Sequence, residues 1–191
     1  MALELLLPPE AGPITLAEAK AHLRVDHSSE DTYITSLIAA AVSRVDGRSG
    51  MLQRAIMTQS WRLTLDAFPS GAIEIPLPPL QTIDDAVYVD AGGDPVPLDY
   101  VVDDASEPAR LFAMGSAWPA GVAAQQAVSI DFTAGYETAA DVPAAIIHGM
   151  LLLIGNWYQV REQMIIGAIS QPLAPNVGID ALFSPYRIMT A

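Results

Sequence analysis

His22, His27 and His148 are the only imidazoles available for metal binding or base catalysis. No two stand at ligand spacing, and no HExxH or comparable cluster occurs. His148 lies in an apolar stretch and reads as a core or interface histidine. Carboxylates come as neighbours at Asp84-Asp85 and Asp103-Asp104. Acid–base or metal chemistry needs two carboxylates converging on one site. Adjacent residues of a strand point to opposite faces, so each pair is expected to place at most one acid on a given side. There is no GxSxG elbow, no P-loop and no GxGxxG after a strand. The sequence has no cysteine, which removes disulfides and thiolate catalysis. The chain is read as non-enzymatic, with no catalytic residue, cofactor or metal.

Trp61, Trp118 and Trp157, with Tyr33, Tyr88, Tyr100, Tyr136 and Tyr158, raise the question of base stacking. Stacking platforms carry basic neighbours, and here the neighbours are acidic or apolar. Core and subunit-interface roles fit them better, with Trp157-Tyr158 as an interface anchor. The formal charge is −13 and uneven: residues 57–141 hold thirteen acids against Arg62 and Arg110. Such a chain does not grip duplex DNA by neutralising phosphates, which requires clustered Lys and Arg. An acidic surface keeps a protein soluble, and it also suits a face that must meet DNA without holding it.

The elements that would position these residues fall into three zones, predicting an α+β fold. Thr15 precedes Leu16-Ala-Glu18 as a capping box, opening a short helix to about Val25. Ser28, with Asp31 three residues on, is expected to cap a long helix over about 29–48. Ile34, Leu37, Ile38, Ala41 and Val45 form its buried stripe, and Gly47 and Gly50 end it. From Ser60 the period changes to strand alternation, with about six short strands between Pro- and Gly-rich turns. Residues 57–141 are therefore read as an inserted antiparallel β module. Asp141 is expected to cap a second long helix, 143–166, with Pro143 in its first turn. Residues 1–56 and 142–170 would make a helical core, and 171–191 an extended C-terminal tail. That tail carries apolar side chains which need somewhere to dock.

Val142 to Val160 has no charged residue, close to the length of a membrane span. Pro143, His148, Gly149, Gly155, Asn156 and Gln159 dilute it, and its upstream flank is acidic. A buried helix fits better, so no membrane partner is expected. The N-terminal apolar run lacks a basic flank and is short for a signal peptide, making cytoplasmic synthesis the default.

The order of segments resembles one known family. Pro13-Ile-Thr-Leu-Ala-Glu-Ala-Lys-Ala-His-Leu-Arg-Val-Asp26, a Ser/Asp-rich break, and Tyr33-Ile-Thr-Ser-Leu-Ile-Ala-Ala-Ala41 resemble the opening of tailed-phage head–tail connector proteins, also termed adaptor or head-completion proteins. The similarity continues through Gln59-Ser-Trp-Arg-Leu-Thr-Leu-Asp66 and Ile75-Pro-Leu-Pro-Pro-Leu80. It returns at Trp118-Pro119, Phe132-Thr-Ala-Gly-Tyr136, Asp141-Val-Pro143, Trp157-Tyr-Gln-Val-Arg-Glu162 and Leu182-Phe-Ser-Pro-Tyr-Arg187. Asp46-Gly47 departs from it, standing where relatives often keep a helix ending in Glu.

The resemblance implies a homo-oligomeric ring, a dodecamer on the family's pattern, in the virion neck. The portal protein would lie above it and a stopper or tail-completion protein below. Double-stranded DNA would pass through without specific binding. The family has no catalytic residues to carry over. Its tail docks on the portal, which makes Leu173, Val177, Ile179, Leu182, Phe183, Pro185, Tyr186 and Arg187 the expected contact, with 167–171 as hinge. A ring needs two unlike patches per subunit. His148, Leu152, Asn156, Trp157, Tyr158 and Arg161 are the expected interface residues. Asp84, Asp85, Asp103 and Asp104 are expected to line the channel. The alternatives are a stopper or tail-terminator subunit, or a small-ligand-binding β domain, which needs a concave polar site.

Overall fold

The computed structural model describes residues 1–119, 125–160 and 177–188. Two hydrophobic cores are built side by side, one helical and one β. The α+β class read from the sequence is the observed one.

The helical core begins where predicted. The Thr15 hydroxyl accepts from the Glu18 amide and the Glu18 carboxylate accepts from the Thr15 amide, a complete capping box on α1 (Leu16–Leu23). Arg24, left-handed at φ 59°, ends it. The second helix, α2 (Asp31–Val45), is shorter than expected, and Ser28 does not cap it. Glu30 occupies the N-cap position without a side-chain capping bond, and Asp31 instead pairs with Lys20 Nζ at 2.6 Å. That ion pair ties α1 to α2, so the acid serves packing between helices and not its own terminus. The stripe Ile34, Leu37, Ala41 and Val45 is buried as its spacing demands.

Across it lies α3 (Ala144–Gln159), burying Ile146, Gly149, Met150, Leu153 and Ile154. Pro143, not Asp141, is its N-cap. The Asp141 carboxylate turns back to accept from the Thr138 amide and hydroxyl, at 3.0 and 2.6 Å. Residues 161–166 of the expected helix lie outside the described residues.

The tail differs most from expectation. It is not extended over its described part: α4 (Val177–Phe183) and a 3-10 turn (Ser184–Tyr186) fold back on the helices. Ile179 and Phe183 are buried in the helical core. Seven residues of helix were hidden among Pro172, Pro175, Gly178 and Pro185, whose punctuation masks a short amphipathic turn.

The β core is a sandwich. Its larger sheet runs β1 (Ala2–Leu7), β2 (Gln59–Leu65), β8 (Val128–Ala134), β4 (Leu80–Val89), β5 (Pro95–Pro97), all antiparallel. The smaller runs β3 (Ile73–Ile75), β7 (Ala109–Ala113), β6 (Tyr100–Asp103). Leu63, Val128, Ile130 and Phe132 of the first meet Ile73, Ile75 and Leu111 of the second. The N-terminal strand was not foreseen, since Leu5-Leu-Leu7 breaks the alternation; a bulge between Leu5 and Leu7 absorbs the extra residue. Residues 2–7 thus pair within the β layer, although the sequence reading puts 1–56 with the helices.

Candidate functional site: the assembly surfaces

The described residues singled out by sequence lie on the large sheet, at the end of β6, on α3 and in the tail. Among the described residues no cluster of His, Asp or Glu is arranged to hold a metal. No helix among them is long and apolar enough to cross a membrane.

The outer face of the large sheet is acidic and organised in rows. Register places Glu4, Arg62, Asp131 and Asp85 side by side across four strands. The Arg62 guanidinium donates through Nε and Nη2 to both Asp131 oxygens, at 2.7 Å each. Asp131 first, then Glu4 and Asp85, hold that guanidinium even more firmly charged. One cation thus serves three carboxylates. Asp84 stands beside them, accepting from the Thr82 and Thr133 hydroxyls at 2.7 Å. The expectation that Asp84 and Asp85 point apart fails here. A register shift between Ile83 and Asp85 sets two residues of β4 against one step of β8, so both acids face outward. Asp103 and Asp104 do not join them. Asp103 ends β6 in the smaller sheet, opposite Arg110, and accepts from the Ala105 amide at 3.2 Å; Asp104 is exposed just beyond.

The residues expected at an α3 interface divide in two. His148 is exposed, its ring edge-on to His22 at 6.3 Å between centroids. Leu152, Trp157 and Tyr158 pack partly into the chain's own helical core. The Trp157 carbonyl accepts from the Tyr33 hydroxyl at 3.4 Å, and the Tyr158 hydroxyl donates to the Glu30 carboxylate. These aromatics staple α3 to α2. Asn156 is half-buried, its carbonyl accepting from the Val160 amide. Arg161 lies outside the described residues.

The tail residues are likewise divided. Val177 opens α4; Ile179 and Phe183 are buried, and Leu182 and Tyr186 are half-buried. Pro185 and Arg187 are exposed, Arg187 lying 3.8 Å from Asp180. Leu173 and the hinge 167–171 are outside the described residues. Phe183 presses so close to α3 that a Cβ on Gly149 would stand 2.5 Å from its ring. Beyond it the chain is pinned at the joint between the two cores. Arg54 is buried there, its Nε donating to the Tyr186 carbonyl at 2.7 Å and its guanidinium paired with Glu107. The Ile188 amide donates to the Leu52 carbonyl at 3.0 Å.

Asp46 stands at the same joint. It accepts from the Ile56 amide at 2.7 Å and from Gln59 Nε2 at 3.0 Å, and burial pushes its carboxyl above the ordinary range. Sequence reasoning missed Arg54 and Asp46 as anchors. An Arg inside Leu52-Gln-Arg-Ala-Ile-Met57 was the available signal, since such a cation must find partners once its neighbours are buried.

A groove of about 620 Å³ lies between the free edges of β1 and β3. Leu3, Leu65, Ile73, Leu77, Pro108 and Ile188 are among its lining residues.

Residues 13–88, from Pro13 ahead of α1 through most of β4, match the sequence model of the family described as phage gp6-like head-tail connector protein. That segment is similar to head–tail connector proteins. Solved structures extend the likeness over the whole chain. One is titled the neck of an empty gene transfer agent particle computed with C6 symmetry. It is 26% identical at a TM-score of 0.77, covering 100% of this chain and 97% of that one. Another, the virion of the native gene transfer agent particle, is 26% identical at 0.76 with the same coverage. A third, the native neck computed with C12 symmetry, shares the fold at 24% identity and 0.68. No curated protein matches the chain by sequence. The family and these neighbours are structural neck proteins of phage-like particles, and the connector resemblance read from the sequence is shown.

Proposed function

We propose that the chain is a structural subunit of a rotationally symmetric ring in the neck, joining the portal end of a capsid to the tail. The observation that carries this reading is the pairing of the 13–88 family match with full-length similarity to neck subunits at 26% identity. The C6 and C12 symmetry belongs to those particles; it supports a ring, with the dodecamer as the expected closure. The portal would be the upper partner and a stopper or tail-completion protein the lower.

The DNA channel reading is refined by the sheet. Glu4, Asp131, Asp84 and Asp85 share one outward face with Arg62 as the cation in their row. That face is the better candidate lumen wall, because its charges act together. Repulsion of phosphates by such a wall centres the duplex without binding it, and salt weakens the effect. Asp103 and Asp104, on the other sheet, are candidates for a contact elsewhere on the ring.

The test is binding of the purified protein to portal-bearing, DNA-filled capsids, imaged by electron microscopy. A ring beneath the portal supports the reading; no binding, with tail ends decorated instead, moves the chain to a stopper or terminator role. Pro185→Asp with Arg187→Glu is the tail variant to use, since both side chains are exposed. A truncation after Gly167 would also remove Phe183 from the helical core. In assembled particles Asp84→Asn/Asp85→Asn is expected to slow ejection, and unchanged kinetics would count against the channel wall.

A further inference from the structure

Eight large hydrophobic side chains are exposed among the described residues, and seven fall into two groups. Met1, Leu5 and Leu7 lie along or beside the free edge of β1, whose N-terminal end borders the groove. Val101, Val102, Phe112 and Met114 lie on and just past β6 and β7. Val101 and Phe112 stand opposite each other in register, so they make one continuous ridge. Met1, Leu5 and Leu7 sit at one sheet edge and Val101 and Val102 at another, where native proteins ordinarily place charge or proline, with Phe112 and Met114 beside the latter on β7 and just past it. The remaining edge of the large sheet obeys that rule, for β5 is Pro95-Val-Pro97.

We infer that the groove of one copy receives the β6–β7 ridge of the next copy around the ring. The inference rests on the ring reading above and names its contact. A ring requires two different, complementary patches on each subunit; like-with-like pairing closes a dimer instead. The groove and the ridge meet that requirement: the first is a concavity flanked by unpaired β1 and β3 edges, with Met1 in its lining, and the other is a ridge ending in the free edge strand β6. Charges at the two patches are mixed: Arg48 and Glu74 line the groove, and Asp103, opposite Arg110, and Asp104 flank the ridge.

The chain has no cysteine, so single thiols report the contact directly. Ala67 lines the groove and Met114 tops the ridge; both are exposed, so A67C and M114C leave the cores untouched. The two variants, one isotope-labelled, are mixed and oxidised, and the disulfide dimers are weighed by mass spectrometry. The inference expects the ratio of mixed A67C–M114C dimers to like-with-like dimers to exceed the statistical ratio by on the order of tenfold. It further expects the double variant A67C/M114C to give a ladder ending at a closed ring. A statistical mixture, an excess of either like-with-like dimer, or no dimer at all overturns it. So does a groove filled by a small apolar ligand, which yields one of those outcomes. The reduced single variants are tested on capsids in parallel. A ring seen there without preferred trapping sinks the inferred contact alone, whereas no ring sinks the neck reading itself.

Discussion

Gly149 and Phe183 give the sharpest test of how the tail is held. Phe183 is fully buried against α3, and Gly149 is the point where its ring rests. Phe183→Ala removes a large buried ring and should cost about 3–5 kcal/mol. Gly149→Ala acts on two terms of opposite sign. A helix-interior alanine gains about 1 kcal/mol over glycine. Its Cβ, however, would stand 2.5 and 2.6 Å from Phe183 Cε1 and Cζ, and overpacking of that kind costs about 1–3 kcal/mol. The single variant is therefore neutral to destabilising by about 2 kcal/mol. In the Phe183→Ala background the clash is gone and the methyl enters the vacated space. There the same change should stabilise by about 1 kcal/mol. The coupling between the sites is thus about 1–3 kcal/mol, with the sign of Gly149→Ala reversed between backgrounds. Urea unfolding followed by tryptophan fluorescence across the four proteins measures it. Additive effects, with Phe183→Ala costing less than about 1 kcal/mol, would refute the placement of α4 in the core and return the tail to the extended form.

Two further predictions concern single carboxylates and their donors. Because burial raises the Asp46 carboxyl in the fold, the folded state holds its proton more tightly than the unfolded chain does, where the value is about 3.9. Stability from this group is therefore present at low pH and lost as pH rises through the raised value. Asp46→Asn keeps an acceptor for Ile56 and Gln59 without the charge, so it should match or exceed the wild type at neutral pH and lose that advantage on acidification. Denaturation across the acid range checks this, and a growing advantage toward low pH would contradict it. Arg62→Met leaves Glu4, Asp131 and Asp85 adjacent in one row. Both partners of its ion pair are partly exposed, so the loss is modest, about 1 kcal/mol at low salt. It should shrink as salt screens the row, and a salt-independent loss would assign Arg62 a packing role instead.

Local signals were legible wherever chain-local physics decided the outcome. The Thr15–Glu18 box, the α2 stripe and the alternation of Ser60–Asp66 all describe the observed elements. Misreadings arose where a distant partner decided. Asp31 looks like a capping acid until Lys20 is beside it. Asp84 and Asp85 look divergent until β8 forces a bulge between Ile83 and Asp85. Leu5-Leu-Leu7 looks like nothing regular until β2 pairs with it. The bonds that tie α3 to α2, from Tyr33 to the Trp157 carbonyl and from Tyr158 to Glu30, likewise depend on partners far away in sequence. For the assembly surfaces, the acids were visible as residues, but their grouping depends on strand order, which alternation does not contain. The groove was invisible, because it lies between the edges of two sheets formed by segments more than sixty residues apart, Met1–Leu3 and Leu65–Leu77.

The joint between the two cores bears on how such a subunit would close a ring. A ring of identical subunits closes only if each copy presents its two contact patches at one fixed angle. Here the groove and the ridge both belong to the β layer, whereas residues 13–45 of the family match lie in the helices. Apolar packing alone is non-directional and would let one layer slide on the other. The joint instead carries directional bonds. Asp46, at the end of α2, holds the Ile56 amide and Gln59 at the start of β2. Arg54 holds the Tyr186 carbonyl after α4 and Glu107 beside β7. Gly135, after β8, lies so close beneath the Met57 carbonyl that no side chain fits. Each contact costs desolvation that an apolar pair would avoid, and each is satisfied in one orientation only. Their clustering at this joint fixes the helical layer, and the tail packed on it, in one orientation to the β layer that carries both proposed patches.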